Sequence, residues 1–147
     1  MIGVWLPAIL WTAIIALEST FGSAANTGAL LQQLLLWLFG EGEPAQFDTL
    51  HYALRKAGHF AGYGILGALW FRAIARTMGT RSVIWCAGLA IAGTFLIASL
   101  DEWHQSFSPA RTGSVQDVAL DMSGALTLVL LAMMWVARRR NKAAAYK

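Results

Sequence analysis

The chain has 147 residues, of which 57% are hydrophobic and 13% charged, with a formal net charge of +3 and a mean hydropathy of +0.54. That is the length of one domain without the surface chemistry of a soluble one. Four spans of about 20 residues use most of the apolar fraction, which excludes a separate catalytic domain, a Rossmann unit or a zinc-finger array and confines function to the helices and their caps. The single cysteine, Cys86, excludes an intramolecular disulfide framework and a thiolate metal cluster.

The first predicted element is a span over residues 2–21. Glu18 interrupts its apolar run near the end, and no basic segment precedes it, so it reads as a retained span rather than a cleaved signal peptide. Residues 28–40 are too short to cross. Leu30, Leu31, Leu34, Leu35 and Leu38 recur on one face, which predicts an interfacial or re-entrant helix ended by the Glu41–Pro44 break. The second span is predicted over 50–75, where Gly58 and Gly62 offer a spacing that permits close helix approach. The third and fourth spans are predicted over 83–105 and 115–137. Trp37, Trp70, Trp103 and Trp135 fall near span ends, as interfacial anchors do. The expected architecture is all-α: a compact integral membrane bundle of four transmembrane helices with one short interfacial or re-entrant helix, forming a single domain over 1–147.

Charge sets the orientation. Arg72, Arg76, Arg81, Arg138, Arg139, Arg140, Lys142 and Lys147 fall on one side, whereas all eight acidic residues fall on the other with Arg55, Lys56 and Arg111. The positive-inside rule then places both termini in the cytoplasm and both polar loops outside in a multi-pass membrane protein. The basic tail suits anionic membrane lipids and requires no nucleic-acid partner.

This topology gathers the beginning of span two, the end of span three and the beginning of span four at the outer face. The residues expected to meet there, and to bind a ligand, are Arg55, His59, Tyr63, Asp101, Glu102, Gln105, Arg111, Asp117 and Asp121. Ionisable groups at this depth are costly unless paired or wet, which marks a site. Arg55, His59 and Tyr63 are four apart and share a helix face, as do Asp117 and Asp121, and two carboxylates so placed need Arg55, Lys56, Arg111 or a cation nearby. Lys56 reads as an interfacial side chain. Arg111 and Gly113 form an anion-friendly turn, and Ser114 is the expected N-cap of span four, with Asp117 at capping-box spacing. An ion-pair network that closes the bundle accounts for the same residues without a ligand.

No catalytic residue is established by this pattern. His59, Glu102 and Asp117 are the candidates for acid/base work. His59, Glu102, His104 and Asp117 include metal-ligand types, but Glu102 and His104 fall on different faces and no HExxH is present, so neither a metal nor a cofactor is assigned. Nucleophile elbow, P-loop, CxxC and dinucleotide fingerprints are also missing.

Two blocks carry a resemblance. Arg55-Lys56-Ala57-Gly58-His59-Phe60-Ala61-Gly62-Tyr63-Gly64-Ile65-Leu66-Gly67 and the run from Asp101 through Pro109, Arg111 and Asp117 to Asp121 and Gly124 resemble the VanZ-like family of small bacterial membrane proteins. The likeness extends over residues 11–135. It departs at Ala110, where the family often has glycine, and at Asp121, where asparagine is frequent. The family takes its name from a protein associated with resistance to teicoplanin, so the resemblance implies a cell-envelope role. It implies a partner such as a lipid-linked cell-wall precursor or an envelope protein, and a contribution to glycopeptide or envelope-stress response. A membrane enzyme acting on a lipid-linked substrate and a structural assembly module are the alternatives, and the oligomeric state is not read from the sequence.

Overall fold

A computed structural model describes residues 2–21, 44–79, 82–107 and 113–145, together with 29, 32–34, 36, 37 and 40. Everything regular among the described residues is helical: α1 (Ile2–Phe21), α2 (Pro44–Thr77), α3 (Val83–Gln105) and α4 (Val115–Ala145). Residues 29, 32–34, 36 and 37 are also helical. Gly40 ends those turns at φ +77° and donates its N–H to the Leu36 carbonyl at 3.0 Å, a left-handed cap that glycine adopts without a Cβ penalty. The remainder of the predicted 28–40 segment lies outside the described residues.

The helix bounds follow local chemistry. α1 matches its predicted bounds and carries Pro7 internally. α2 starts six residues before the predicted span, because Pro44 suits a first helical turn, where its missing N–H has no partner to lose. It ends in a turn where Gly79 takes φ +64°. Ser82 caps α3 by accepting the Trp85 N–H. α4 runs eight residues past the predicted span, since Arg, Lys and Ala in the tail favour helix while the charged residues end the apolar run by which a span is read.

Among the described residues, three helices are long and apolar enough to cross a membrane: Ile2–Thr20, Val83–Gln105 and Val115–Arg139. Their apolar side chains face outward. Ile9, Leu10, Ile14, Ile84, Leu89, Leu96, Leu130 and Met134 are exposed, whereas Thr94, Asp101, Glu102, Gln105 and Asp121 are buried. A soluble domain shows the reverse, so the distribution fits hydrocarbon rather than water as the surrounding medium. α2 is long enough but more polar. It packs against all three other helices, most extensively against α4, and this shields its polar face.

Contacts give the directions. Lys56 meets Asp117, His59 meets Asp121 and Gly67 meets Ala125, both numbers rising together, so α2 and α4 are parallel. Tyr63 bonds Asp101 and Trp70 covers Gly93, so α3 is antiparallel to α2. Trp5 bonds Thr77 and Trp11 bonds the Gly62 carbonyl, so α1 is antiparallel to it as well. The α2–α4 crossing is built on small residues, because a Cβ at Gly124 would overlap the Phe60 carbonyl and one at Gly64 would press on Leu128 and the Gly124 carbonyl. Gly58 and Gly62, expected to make this approach, have no neighbour within 4 Å of a built Cβ.

The apolar core consists of Phe71, Ile74, Ala75, Cys86, Ala87, Ala90 and Val129. A smaller cluster of Tyr63, Leu66 and Ala98 lies beneath the polar end. Trp70 belongs to this interior rather than to an interfacial belt: its indole N–H points to Thr12 Oγ1 at 3.4 Å, and its ring meets Trp5 edge-on at 6.1 Å. Trp37, Trp103 and Trp135 are exposed, as anchors are.

Candidate functional site

The parallel α2–α4 pair and the returning α3 bring three polar segments to one end of the bundle. Spacing four apart puts Arg55, His59 and Tyr63 on the α2 face turned toward α3 and α4, and each finds a partner there. Arg55 donates to Gln105 Oε1 at 3.4 Å. His59 Nδ1 lies 3.1 Å from Asp121 Oδ1, and the Tyr63 hydroxyl donates to Asp101 Oδ2 at 2.7 Å. Gln105 Nε2 donates to the same Asp101 oxygen at 3.0 Å. The Tyr63 ring stacks near His59, centroids 6.2 Å apart, which fixes the imidazole plane.

Lys56, read from the sequence as interfacial and also as one of the basic groups able to partner the two aspartates, takes the second part. It pairs with Asp117 across α2 and α4, so Asp117 has its cation and stands apart from the buried carboxylates. The i, i+4 rule that placed Asp117 and Asp121 together called for such a basic partner. The Ser114 reading holds in one half: its hydroxyl accepts the Gln116 N–H at 3.1 Å, as an N-cap does. The capping box does not close, because the Ser114 N–H donates to Glu102 Oε2 at 2.9 Å while Asp117 faces Lys56. Gly113 allows this turn to press on α3, since a Cβ there would overlap the Glu102 carbonyl.

Eight of the nine sequence-predicted binding residues therefore converge: Arg55, His59, Tyr63, Asp101, Glu102, Gln105, Asp117 and Asp121. Arg111 lies outside the described residues. His104 is exposed on α3 and lines a groove of about 330 Å³ with Thr12, Ser19, Thr20 and Asp101, so it does not join Glu102 and Asp117 in the ligand set considered from sequence. The set that does meet is His59, Glu102 and Asp121, with one ligand atom from each within 4.8 Å of the other two.

The described cluster is richer in acid than in base. Asp101, Glu102, Asp117 and Asp121 face Arg55, Lys56 and one histidine. Asp101 Oδ1, Glu102 Oε1 and Asp121 Oδ2 are buried with no hydrogen-bond partner among the described residues. Beside them a second groove, of about 400 Å³, runs between α3 and α4. Its walls are Phe95, Trp103, Val115 and Val118, with Glu102 and Ser114 at its polar edge.

Outward apolar helices closed at one end by buried carboxylates, a histidine and a tyrosine fit a small helical membrane protein with a polar cluster at one end of its helices. The chain belongs to the VanZ/LLP1 family, whose family model matches residues 4–136. No curated protein and no solved structure matches it.

Proposed function

We propose that this VanZ-like protein crosses the bacterial inner membrane four times with both termini in the cytoplasm. On this reading it binds an envelope amphiphile, of the class of lipid-linked cell-wall precursors, by its polar head. The observation that carries the reading is the double position of Glu102, which belongs to the convergent polar cluster and also edges the apolar α3–α4 groove. A head group enters the cluster, where Arg55 meets anionic oxygens and Asp101 and Asp121 meet donors, while an acyl or prenyl chain lies against Phe95, Trp103 and Val118. A contribution to glycopeptide or envelope-stress response follows from holding such a component.

The test is to reconstitute the whole chain in lipid nanodiscs and measure binding and turnover of labelled envelope-lipid precursors. Arg55→Ala and Phe95→Ser are expected to weaken binding by about tenfold or more, one through the head and the other through the chain. Equal binding by wild type and both variants would overturn the reading. A second reading, acid/base catalysis on the same amphiphile, is favoured by the buried pair of His59 and Asp121, since a carboxylate that orients an imidazole equips it to move a proton. Product formation abolished in a folded His59→Gln variant would establish catalysis, and binding without product would exclude it for that substrate.

A further inference from the structure

We propose that His59, Glu102 and Asp121 form a binding site for one divalent transition-metal cation of the zinc or manganese type. The site shares Glu102 and Asp121 with the head-group reading but is tested independently of it, because a cation held there is detectable with no lipid ligand present.

The argument begins with unsatisfied oxygens. Asp121 is 0% exposed and Glu102 5% exposed. Asp121 Oδ1 faces His59, and Glu102 Oε2 accepts the Ser114 N–H. The other oxygen of each, Oδ2 and Oε1, is buried with no hydrogen-bond partner among the described residues. A buried carboxylate oxygen left this way is costly, and a cation shared by these two residues beside His59 would satisfy both at once. Among the described residues, Lys56 pairs with Asp117 and Arg55 donates to Gln105, and neither reaches these two oxygens.

Geometry agrees. Three ligand atoms within 4.8 Å of one another have a common centre no more than about 2.8 Å from each, so closing by less than about 1 Å reaches the ~2.0–2.2 Å bonds of zinc to nitrogen and oxygen. The 3.1 Å separation of His59 Nδ1 and Asp121 Oδ1 also lies within the roughly 3.0–3.4 Å that neighbouring ligands span on an ion with bonds of that length. One imidazole with two carboxylates favours zinc, manganese or iron(II) over calcium and magnesium, which prefer oxygen alone. Three protein ligands leave a coordination position open, as catalytic sites do and closed structural sites do not.

The surroundings hold the ligands in place. Tyr63 stacks on His59 and is itself fixed by Asp101, which Gln105 also holds. The Ser114 N–H aims Glu102. Such supporting bonds orient metal ligands before the ion arrives.

The experiment strips the purified full chain of metal with chelator in nanodiscs, then measures zinc and manganese binding by calorimetry and bound metal by elemental analysis. One equivalent per chain with micromolar or tighter affinity is expected, with a raised unfolding temperature. Glu102→Gln and His59→Gln should each weaken binding by about 100-fold or more, whereas His104→Gln should change it less than about threefold. A chelator-treated wild-type chain that stays folded and binds less than 0.2 equivalents, on the order of adventitious binding, overturns the site whatever the variants do. So does binding that survives Glu102→Gln but is lost in His104→Gln.

Discussion

Tyr63 is 2% exposed, and its hydroxyl gives Asp101 Oδ2 one of the two hydrogen bonds that oxygen receives, the other coming from Gln105. Tyr63→Phe removes one atom and keeps the ring that stacks on His59. It is expected to cost about 1–3 kcal/mol of stability, the price of leaving a buried acceptor short of a donor, with the change read from unfolding of the reconstituted protein. A change below about 0.5 kcal/mol would mean that water reaches Asp101. That Tyr63 shares a face with Arg55 and His59 was legible in the sequence, because four-residue spacing fixes which α2 side chains point together. That its acceptor lies on α3 rather than α4 was not. Nor could spacing choose among Arg55, Lys56 and Arg111 as partner for the aspartates, since Lys56 meets Asp117 from another helix 61 residues away.

At the scale of helices, spacing revealed periodicity but not which face meets which neighbour. Gly58 and Gly62 have the spacing of a close-packing motif, yet the α2–α4 crossing rests on Gly64, Gly67 and Gly124. A helix wheel marks equivalent positions on one helix and carries no information about the azimuth of the next. The two sets separate cleanly by mutation. At Gly124 an added methyl meets the Phe60 carbonyl, a backbone atom that cannot swing aside, so α2 and α4 must part and stretch the Lys56–Asp117 and His59–Asp121 contacts. Gly124→Ala is therefore expected to destabilise by about 1–3 kcal/mol, as overpacking does. Gly58→Ala meets open space and should be neutral or stabilising by up to about 1 kcal/mol. Equal unfolding midpoints for the two variants would place the crossing elsewhere. The same limit explains Trp70: proximity to a predicted span end suggested an interfacial ring, but its azimuth turns it onto Trp5, Thr12 and Gly93.

For the whole molecule the decisive quantity is the separation of charge between the two ends. Asp101, Glu102, Asp117 and Asp121 gather at one end of the bundle, and Arg72, Arg76, Arg138 and Arg139 occupy the ends of α2 and α4 farthest from them. At 1.5 Å per residue, 34-residue α2 is about 51 Å long, more than the ~30 Å of a hydrocarbon core. Its packing against α1, α3 and α4 partly or wholly buries Arg55, Lys56, His59 and Tyr63, four of the polar positions that lower its hydropathy, and leaves Arg72 and Arg76 exposed toward its far end. If α2 crosses, the Met78 turn lies on the side of the basic residues, together with Gly3 and Ala137, and Gln116 lies on the other. Single cysteines at these four positions, in a Cys86→Ser background, are expected to divide accordingly when intact cells are treated with an impermeant maleimide. Cys at Gln116 should react at once, and the other three only after permeabilisation. Gln116 serves better than Gly113 because a side chain at 113 would collide with the Glu102 carbonyl. If Met78→Cys and Gln116→Cys react from the same side, α2 and α4 would no longer be parallel crossings from a common face. The polar cluster would then have to be rebuilt from a different pairing of helices.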